Sequence, residues 1–320
     1  MIGTESAGPL VSVLIPCYNA AGWIGETLRC LSDQTYQNLE IIVVDDGSSD
    51  ESCEIVEQFP QAGIKLIRQK NAGAASARNG AMNASSGQFL QFLDADDLLA
   101  PEKIERQMEV LLASPASIAA AQWARFVRSP DEADFVADET WQSLLPVDWL
   151  VASWKDGGGM LFPAMWLVPR AVAERAGPWN QSLSLNDDGE YFTRVVLAAD
   201  KVIFCAGARC YYRSGIVGSL SGSKSSAAWR SQISSIELCG SHLLSAEDSE
   251  RTRRVIARLW QRFACACYPY EPALANHGLS LAKALHPVRM EPDGGPAFKL
   301  ASSVLGWRLA RRLQRWSGRP

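Results

Sequence analysis

The chain has 320 residues, a formal net charge of -4 and 47% hydrophobic residues. That length suits one large domain, or a domain with an appendage, and the apolar content can fill a sizeable core. The near-balance of charge argues against nucleic acid or acidic substrates as partners.

Cysteines stand at 17, 30, 53, 205, 210, 239, 265 and 267, and no two have the spacing of a zinc-binding pair. They are expected to be small buried thiols in a reducing compartment. The opening MIGTESAGPLVSVLIP lacks the basic flank and long apolar stretch of a signal peptide. No run reaches the roughly 18–20 apolar residues of a membrane span. A cytoplasmic protein is the expectation.

"LVSVLIP" (10–16) reads as a short buried strand ending in a Pro16-Cys17-Tyr18-Asn19 turn. "AGWIGETLRCLSDQ" then sets Trp23, Thr27, Leu28 and Leu31 at helical spacing. "LEIIVVDDGSSD" (39–50) is a second strand closing on acids and a glycine, with Ser48, Ser49 and Asp50 suited to cap the next helix. "IKLIRQ" (64–69) is a third strand, "AGAASARNGAMNAS" (72–85) a helix of small residues, and "QFLQFLD" (88–94) a fourth strand. "PEKIERQMEVLLAS" is a helix with proline in its first turn and Ile104, Met108, Leu111 and Leu112 on one face. "SIAAAQWARFV" (117–127) reads as a fifth strand. Residues 128–222 are less regular, 223–285 are helical, 287–297 form a Pro/Gly-rich break, and a last helix is expected over 298–316.

Continuous apolar strands alternating with helices imply a parallel sheet covered on both faces. Ligands of such sheets bind beyond the carboxyl ends of the strands. The turns Pro16–Asn19, Asp45–Ser49 and Asp94–Asp97 all follow strands, so they are expected to meet at one edge.

Asp94-Ala95-Asp96-Asp97 concentrates three carboxylates at a strand end. A calcium loop starting at Asp94 fails, because Leu98 and Leu99 stand where a ligand and a glycine are needed. An aspartyl nucleophile is conceivable, but that chemistry usually sits on a first strand, not a fourth. A divalent cation bridging to a diphosphate suits hard oxygen ligands, since Mg²⁺ or Mn²⁺ often takes one or two protein carboxylates plus phosphates. The plainer reading is that the acids cap the next helix.

"VSVLIPCYNA", "LSDQTYQNLEIIVVDDGSSDES" and "NAGAASARNGAMNASSGQFLQFLDADD", in this order, resemble the nucleotide-diphospho-sugar glycosyltransferases of family 2. The resemblance is dense over residues 10–113 and thinner to about 221. It implies a GT-A fold: an α/β, Rossmann-like, mostly parallel sheet flanked by helices. Residues 1–222 would form the transferase domain, with a nucleotide-sugar half (10–127) and an acceptor half (128–222). Residues 223–320 would be a helical C-terminal extension.

The resemblance also implies roles. Pro16, Tyr18 and Asn19 would form the first nucleotide-binding turn, with Tyr18 near the base. Asp46 would accept a hydrogen bond from the base, Arg78 would approach the diphosphate, Asp94 would contact the sugar–ribose region, and Asp96 would bind Mn²⁺ or Mg²⁺. "LNDDGEYFTRVVLA" (185–198) resembles the family's acidic pair followed by a helix, with Asp187 in place of the more common glutamate. Inverting transfer needs a base for the acceptor hydroxyl, and by position that is Asp188, with Asp187 in support. Acids there also suit a helix N-terminus.

Trp166 and Trp179 would lie on the acceptor side, each ring there either to stack on a sugar or to pack in the core. Gly157-Gly158-Gly159 would permit close backbone approach or a mobile loop. "YYRSGIVGSLSGS" resembles a closing loop but has Ser214-Gly215 where many members carry histidine, leaving Arg213 or Lys224 as sources of positive charge. The histidines at 242, 277 and 286 lie outside every motif.

The last segment, "FKLASSVLGWRLARRLQRWSG", carries Lys299, Arg308, Arg311, Arg312 and Arg315 and no acid, with Leu305, Leu309, Leu313 and Trp316 near one face. Such a helix can lie on an anionic membrane, dock on the protein or join a dimer.

These features imply single-sugar transfer from a nucleotide-diphosphate sugar, UDP-sugar favoured, to a glycan, glycolipid or other hydroxyl acceptor in cell-surface assembly. Peripheral contact with the inner face of the cytoplasmic membrane would run through residues 298–316. A nucleotidyltransferase would need a basic residue in the first loop, which "PCYNAAGWIG" lacks. A non-catalytic nucleotide-sugar-binding or scaffold protein is the other alternative; it predicts loss of the base or of the Asp94–Asp96 pair, and both are present.

Overall fold

The computed structural model describes residues 8–60, 63–216, 218–219, 222–287, 289–290 and 294–316. Strands are β1 (Val11–Cys17), β2 (Leu39–Asp45), β3 (Ile64–Arg68), β4 (Phe89–Phe92), β5 (Leu98–Leu99), β6 (Ile118–Phe126), β7 (Trp166–Pro169) and β8 (Val202–Arg213). The helices of the first half are α1 (Ile24–Ser32), α2 (Ser52–Glu57), α3 (Ala74–Ala84) and α4 (Lys103–Ala113). The second half adds α5 (Pro146–Trp154), α6 (Arg170–Ala176), α7 (Asp187–Ala198), α8 (Ser226–Ala246), α9 (Glu250–Cys267), α10 (Pro272–Leu285), α11 (Pro296–Leu305) and α12 (Trp307–Trp316).

The strands form one sheet in the order β3-β2-β1-β4-β7-β6-β8-β5. The chain winds outward through β2 and β3, then returns to place β4 on the other side of β1. Such a reversal opens a crevice beyond the strand ends. Register aligns the ends: Cys17 lies opposite Asp45, and Leu14 opposite Phe92. The polar turns after β1, β2 and β4 therefore share an edge, as the strand pattern predicts.

The second half departs from the expected parallel pattern. β7 runs antiparallel to both β4 and β6, while β6 and β8 are parallel. A four-residue apolar run carries no sign of its direction. Here β7 is entered from the edge that carries the acid turn: Gln91 Nε2 donates to the Ala164 carbonyl at 3.2 Å. The expected last helix is two helices. Gly306, at φ +76, takes the left-handed conformation that breaks the axis between α11 and α12.

The apolar core runs without a break from the sheet into α8, α9 and α10, through Trp229, Ile236, Trp260 and Phe263. At its centre Phe92, Trp149, Trp166, Trp179, Tyr191 and Phe192 pack as one aromatic block. Trp166 stacks on Phe192 at 5.5 Å and meets Trp149 edge-on at 5.0 Å. The eight cysteines are free thiols, all buried except the half-buried Cys30.

The triple glycine gives close approach. Gly157 sits at φ +93, and a Cβ there would come within 2.9 Å of Arg262 Cβ and 3.1 Å of the Arg258 carbonyl on α9. Arg262 Nη1 donates to the Gly158 carbonyl at 2.7 Å. Gly157→Ala is expected to combine backbone strain with overpacking and lower stability by about 2–4 kcal/mol. The midpoint of urea unfolding checks this; an unchanged midpoint would mean the loop lifts off α9 freely.

Candidate active site

The first turn is built from two strand ends laced together. Asn19, at φ 49, offers Oδ1 to the Ser49 amide at 2.8 Å, and its own amide donates to Ser48 Oγ at 2.9 Å. The Ala21 amide donates to Asp50 Oδ2 at 3.0 Å. The residues expected to cap α2 thus serve mainly to bind the two turns to each other. Tyr18 is left standing out, 55% exposed.

Asp46 is almost wholly buried. Its Oδ1 accepts from the Ala72 amide at 2.8 Å and Gln69 Nε2 at 2.7 Å, and its Oδ2 from the Gly73 amide at 2.8 Å. The carboxylate fixes the loop leading into α3. Because that loop is fixed, α3 starts at a set point and its small residues let it pack close to β1 and β2.

Arg78 follows on α3. Its Nη2 donates to Asp94 Oδ1 and its Nη1 to Asp187 Oδ2, each at 2.7 Å. Its guanidinium also lies 4.4 Å from the centre of the Trp179 ring. Only 5% of the residue is exposed. Both terminal nitrogens thus donate to carboxylates, one from each side of the site. Next to it, Asn79 pairs with the Trp179 main chain, accepting at 2.8 Å and donating at 2.9 Å.

Asp187 and Asp188 open α7 after Asn186, which is left-handed at φ 60 and donates from Nδ2 to Ser235 Oγ at 2.7 Å. The Asp188 carboxyl is pushed up to about 7, chiefly by burial and then by the charge of Asp187, with Arg78 opposing. On the facing turn Asp96 is pushed up to about 6, by burial and then by Asp94. Asp97 is raised well above the usual range by burial and by Asp96 and Asp94. Arg213 steadies this turn from β8. Its amide donates to Asp97 Oδ1 at 2.9 Å, its Nε to the Asp96 carbonyl at 2.8 Å, and its Nη2 to Glu26 Oε2 at 2.6 Å.

The structure thus brings Arg78, Asp94 and Asp187 into contact. Asp96 and Asp188 stand close on either side, and Pro16, Tyr18 and Asn19 lie on the same edge. Trp166 does not join them. It is fully buried, so it has no ring face for a sugar, and its sugar-binding role is corrected to core packing. Trp179 is covered too, stacked on Tyr191 at 4.0 Å with Arg78 also over its ring. Glu190 is structural, holding Arg194 through two bonds of 2.7 and 2.8 Å. His242 and His286 sit at 3.3 and 3.4 Å from Glu190 and Glu250, away from the acid turn.

Sequence reasoning missed Asn79 and Glu26 as parts of this edge. The only signal for the first was its place beside Arg78 in "SARNG". Glu26 looks like any first-turn acid of a helix, and its partner lies 187 residues away.

Removing Arg78 leaves two poorly solvated carboxylates facing each other. Arg78→Met is expected to cost about 3–5 kcal/mol of stability. Chemical denaturation of wild type and variant reads this directly, and a loss under about 1 kcal/mol would show that the pair behaves as a surface ion pair.

The Glycosyl transferase family 2 model matches residues 12–177. Putative teichuronic acid biosynthesis glycosyltransferase TuaG of Bacillus subtilis is 37% identical over 107 residues, 32% of this chain and 42% of that protein. UDP-Glc:alpha-D-GlcNAc-diphosphoundecaprenol beta-1,3-glucosyltransferase WfgD of Escherichia coli is 42% identical over 104 residues, 32% of this chain and 41% of that protein. The uncharacterized glycosyltransferase YibD of Escherichia coli K12 is 34% identical over 201 residues, 62% of this chain and 52% of that protein. The chain thus spans about half or less of these relatives' lengths. Among solved structures, S. aureus TarS 1-349 in complex with UDP-GlcNAc superposes with a TM-score of 0.70 at 16% identity, over 97% of this chain and 92% of that one. That likeness shows the GT-A fold, and the matched sequence shows the family: the chain belongs to glycosyl transferase family 2.

Proposed function

We propose that the protein moves one sugar, with inversion, from a nucleotide-diphosphate sugar to an acceptor hydroxyl in cell-surface polysaccharide or glycolipid assembly. The observation that carries this reading is the meeting of Asp94 with Asp187 across Arg78, with Asp96 and Asp188 beside them, at the edge where the sheet reverses. WfgD's name gives it a lipid-diphosphate acceptor, TuaG's a role in teichuronic acid synthesis, and TarS is solved with UDP-GlcNAc. These favour a UDP-sugar donor and a membrane-linked acceptor here.

In this reading Asp188 is the general base. A carboxylate raised to about 7 holds a proton more firmly than an ordinary one, yet is about half ionised at neutral pH. Asp187 is held by Arg78 and orients the start of α7. Tyr18 offers its exposed ring to the base, and Pro16 and Asn19 shape the turn beneath it. Asp46 fixes the loop beside them, and Asp94 faces the sugar–ribose region.

The acid turn fits a divalent cation. Asp96 is half-buried beside two other acids, and Arg213 reaches its main-chain oxygen rather than its carboxylate. Among the described residues no group of three or more His, Cys, Asp or Glu side chains could hold a metal alone. That suits an ion that takes one or two carboxylates and completes its shell from phosphates. Asp96 would hold Mn²⁺ or Mg²⁺, which when bound offsets the charge of the departing diphosphate.

No described helix is long and apolar enough to cross a membrane. Contact with a bilayer surface would run through residues 298–316, placing a cytoplasmic enzyme at the inner face of the cytoplasmic membrane.

Calorimetric titration of UDP, GDP and dTDP, with and without Mn²⁺, tests the donor half. Metal-dependent binding of UDP is expected and should be lost in Asp96→Ala. It should also weaken as pH falls through about 6, because protonation removes the Asp96 charge. Absence of nucleotide binding under every condition would favour a non-catalytic scaffold.

Asp188→Asn should lower kcat about 10²–10⁴-fold while leaving nucleotide binding intact. In the wild type, kcat/KM should fall about tenfold per pH unit below about 7, where the base is protonated, and level off above it. A flat profile from pH 5 to 8 would remove Asp188 from that role.

A further inference from the structure

A second basic feature lies outside the acid edge. Between α9 and the α11–α12 pair is a cavity of about 680 Å³. Among the described residues lining it, Arg258, Arg262, Arg289 and Lys299 are basic and Asp156 alone is acidic. Two of the guanidinium groups are oriented by main-chain carbonyls: Arg258 Nη1 donates to Arg289 O and Arg262 Nη1 to Gly158 O, each at 2.7 Å. Ser302 and Ser303 add hydroxyls to the wall. A neighbouring cavity of about 550 Å³ shares Asp156 and Arg258 and adds Lys155, Arg251 and Arg254.

The helices beside this cavity are oriented against the usual rule. On α11, Lys299, Ser302 and Ser303 face the cavity, while Leu300 and Val304 are 69% and 76% exposed. On α12, Arg311 lies 4.2 Å from the Phe298 ring and Arg312 5.4 Å from the Tyr268 ring, so both turn toward the protein body. Leu309, Leu313 and Trp316 are left exposed, the last at 94%. A basic cavity and an apolar ridge therefore lie side by side on one short stretch of chain. This is the complement of an amphiphile with an anionic head and an apolar tail. A second copy of the chain pairing through the same ridge would bring two basic cavities together, which disfavours that occupant.

We propose that the cavity binds the phosphate of an anionic membrane lipid head group, with the lipid's apolar part against Leu300 and Val304. This rests on the membrane contact proposed above and adds a head-group site to it. It also gives the contact a position. Asp156 belongs to the segment that feeds β7 from the edge carrying Asp94, and the Gly158 carbonyl is bonded to Arg262 on α9. A lipid seated there would hold the acceptor-side edge of the enzyme toward the bilayer.

The test is flotation of the full chain with phosphatidylcholine vesicles, with and without phosphatidylglycerol. Wild type should bind the anionic vesicles more tightly. Lys299→Gln and Arg289→Gln should each weaken that binding about fivefold and leave binding to neutral vesicles unchanged. Leu300→Ser combined with Val304→Ser should weaken binding to both. Inorganic phosphate titrated by calorimetry should bind wild type and be lost in the two charge variants.

Anionic-vesicle binding unaffected by both charge variants would leave the membrane contact standing and overturn the head-group site. Phosphate binding without vesicle binding would assign the cavity to a free anion and overturn the lipid. A concentration-dependent dimer abolished by the Leu300 and Val304 changes would give the ridge to a second copy instead. Metal-dependent nucleotide binding, measured on the same variants, should not move in any case. Its failure would bear on the donor site and not on the cavity.

Discussion

The guanidinium of Arg78 is the tie on which the catalytic edge depends. Five aspartates, 94, 96, 97, 187 and 188, converge there from two distant parts of the chain, and carboxylates so placed repel one another. Arg78 reaches one from each side at 2.7 Å and is itself almost fully buried. A buried arginine is tolerated only with its charge matched and its donors used. The surroundings meet most of that demand: a carboxylate on each terminal nitrogen, the Trp179 ring over the cation, and Asn79 anchoring the same segment, with Nε alone lacking a partner among the described residues.

From this follows a division among the acids. Asp94 and Asp187 share the cation and gain fixed positions. Asp96 and Asp188 lie beyond its terminal nitrogens and remain where burial and like charge raise their proton affinity, to about 6 and about 7. The transfer proposed above would need both kinds: immobile carboxylates that define the space, and others whose charge can change or attract a cation. One arginine separates them.

Much of the donor half was legible because its signals are local. Apolar runs ending in acids or glycine mark strands and their ends, and parallel register brings those ends together. The second half was less legible because its deciding contacts are distant. Whether β7 runs up or down depends on what it pairs with, not on the four residues of "WLVP". Trp166 and Trp179 look alike in sequence to sugar-stacking rings, and only packing shows them as core. Arg78 had a phosphate role by resemblance, and its bond to Asp187, spanning 109 residues, leaves no local sign in the sequence. Gly306 inside an amphipathic pattern was visible, but the pattern outweighed it, and its left-handed φ splits the last helix.

The same long-range bonds bear on how the chain is made. Arg78 and Asn79 are complete in the donor half, yet their partners Asp187 and the Trp179 main chain emerge about a hundred residues later. Until then α3 presents a charged group and an amide on a face meant to be closed. The donor half therefore waits in an unfinished state during synthesis, and its face is completed only when the segment from Trp179 to Asp187 arrives. Closure of that face and assembly of the Arg78–Asp187 contact are one event.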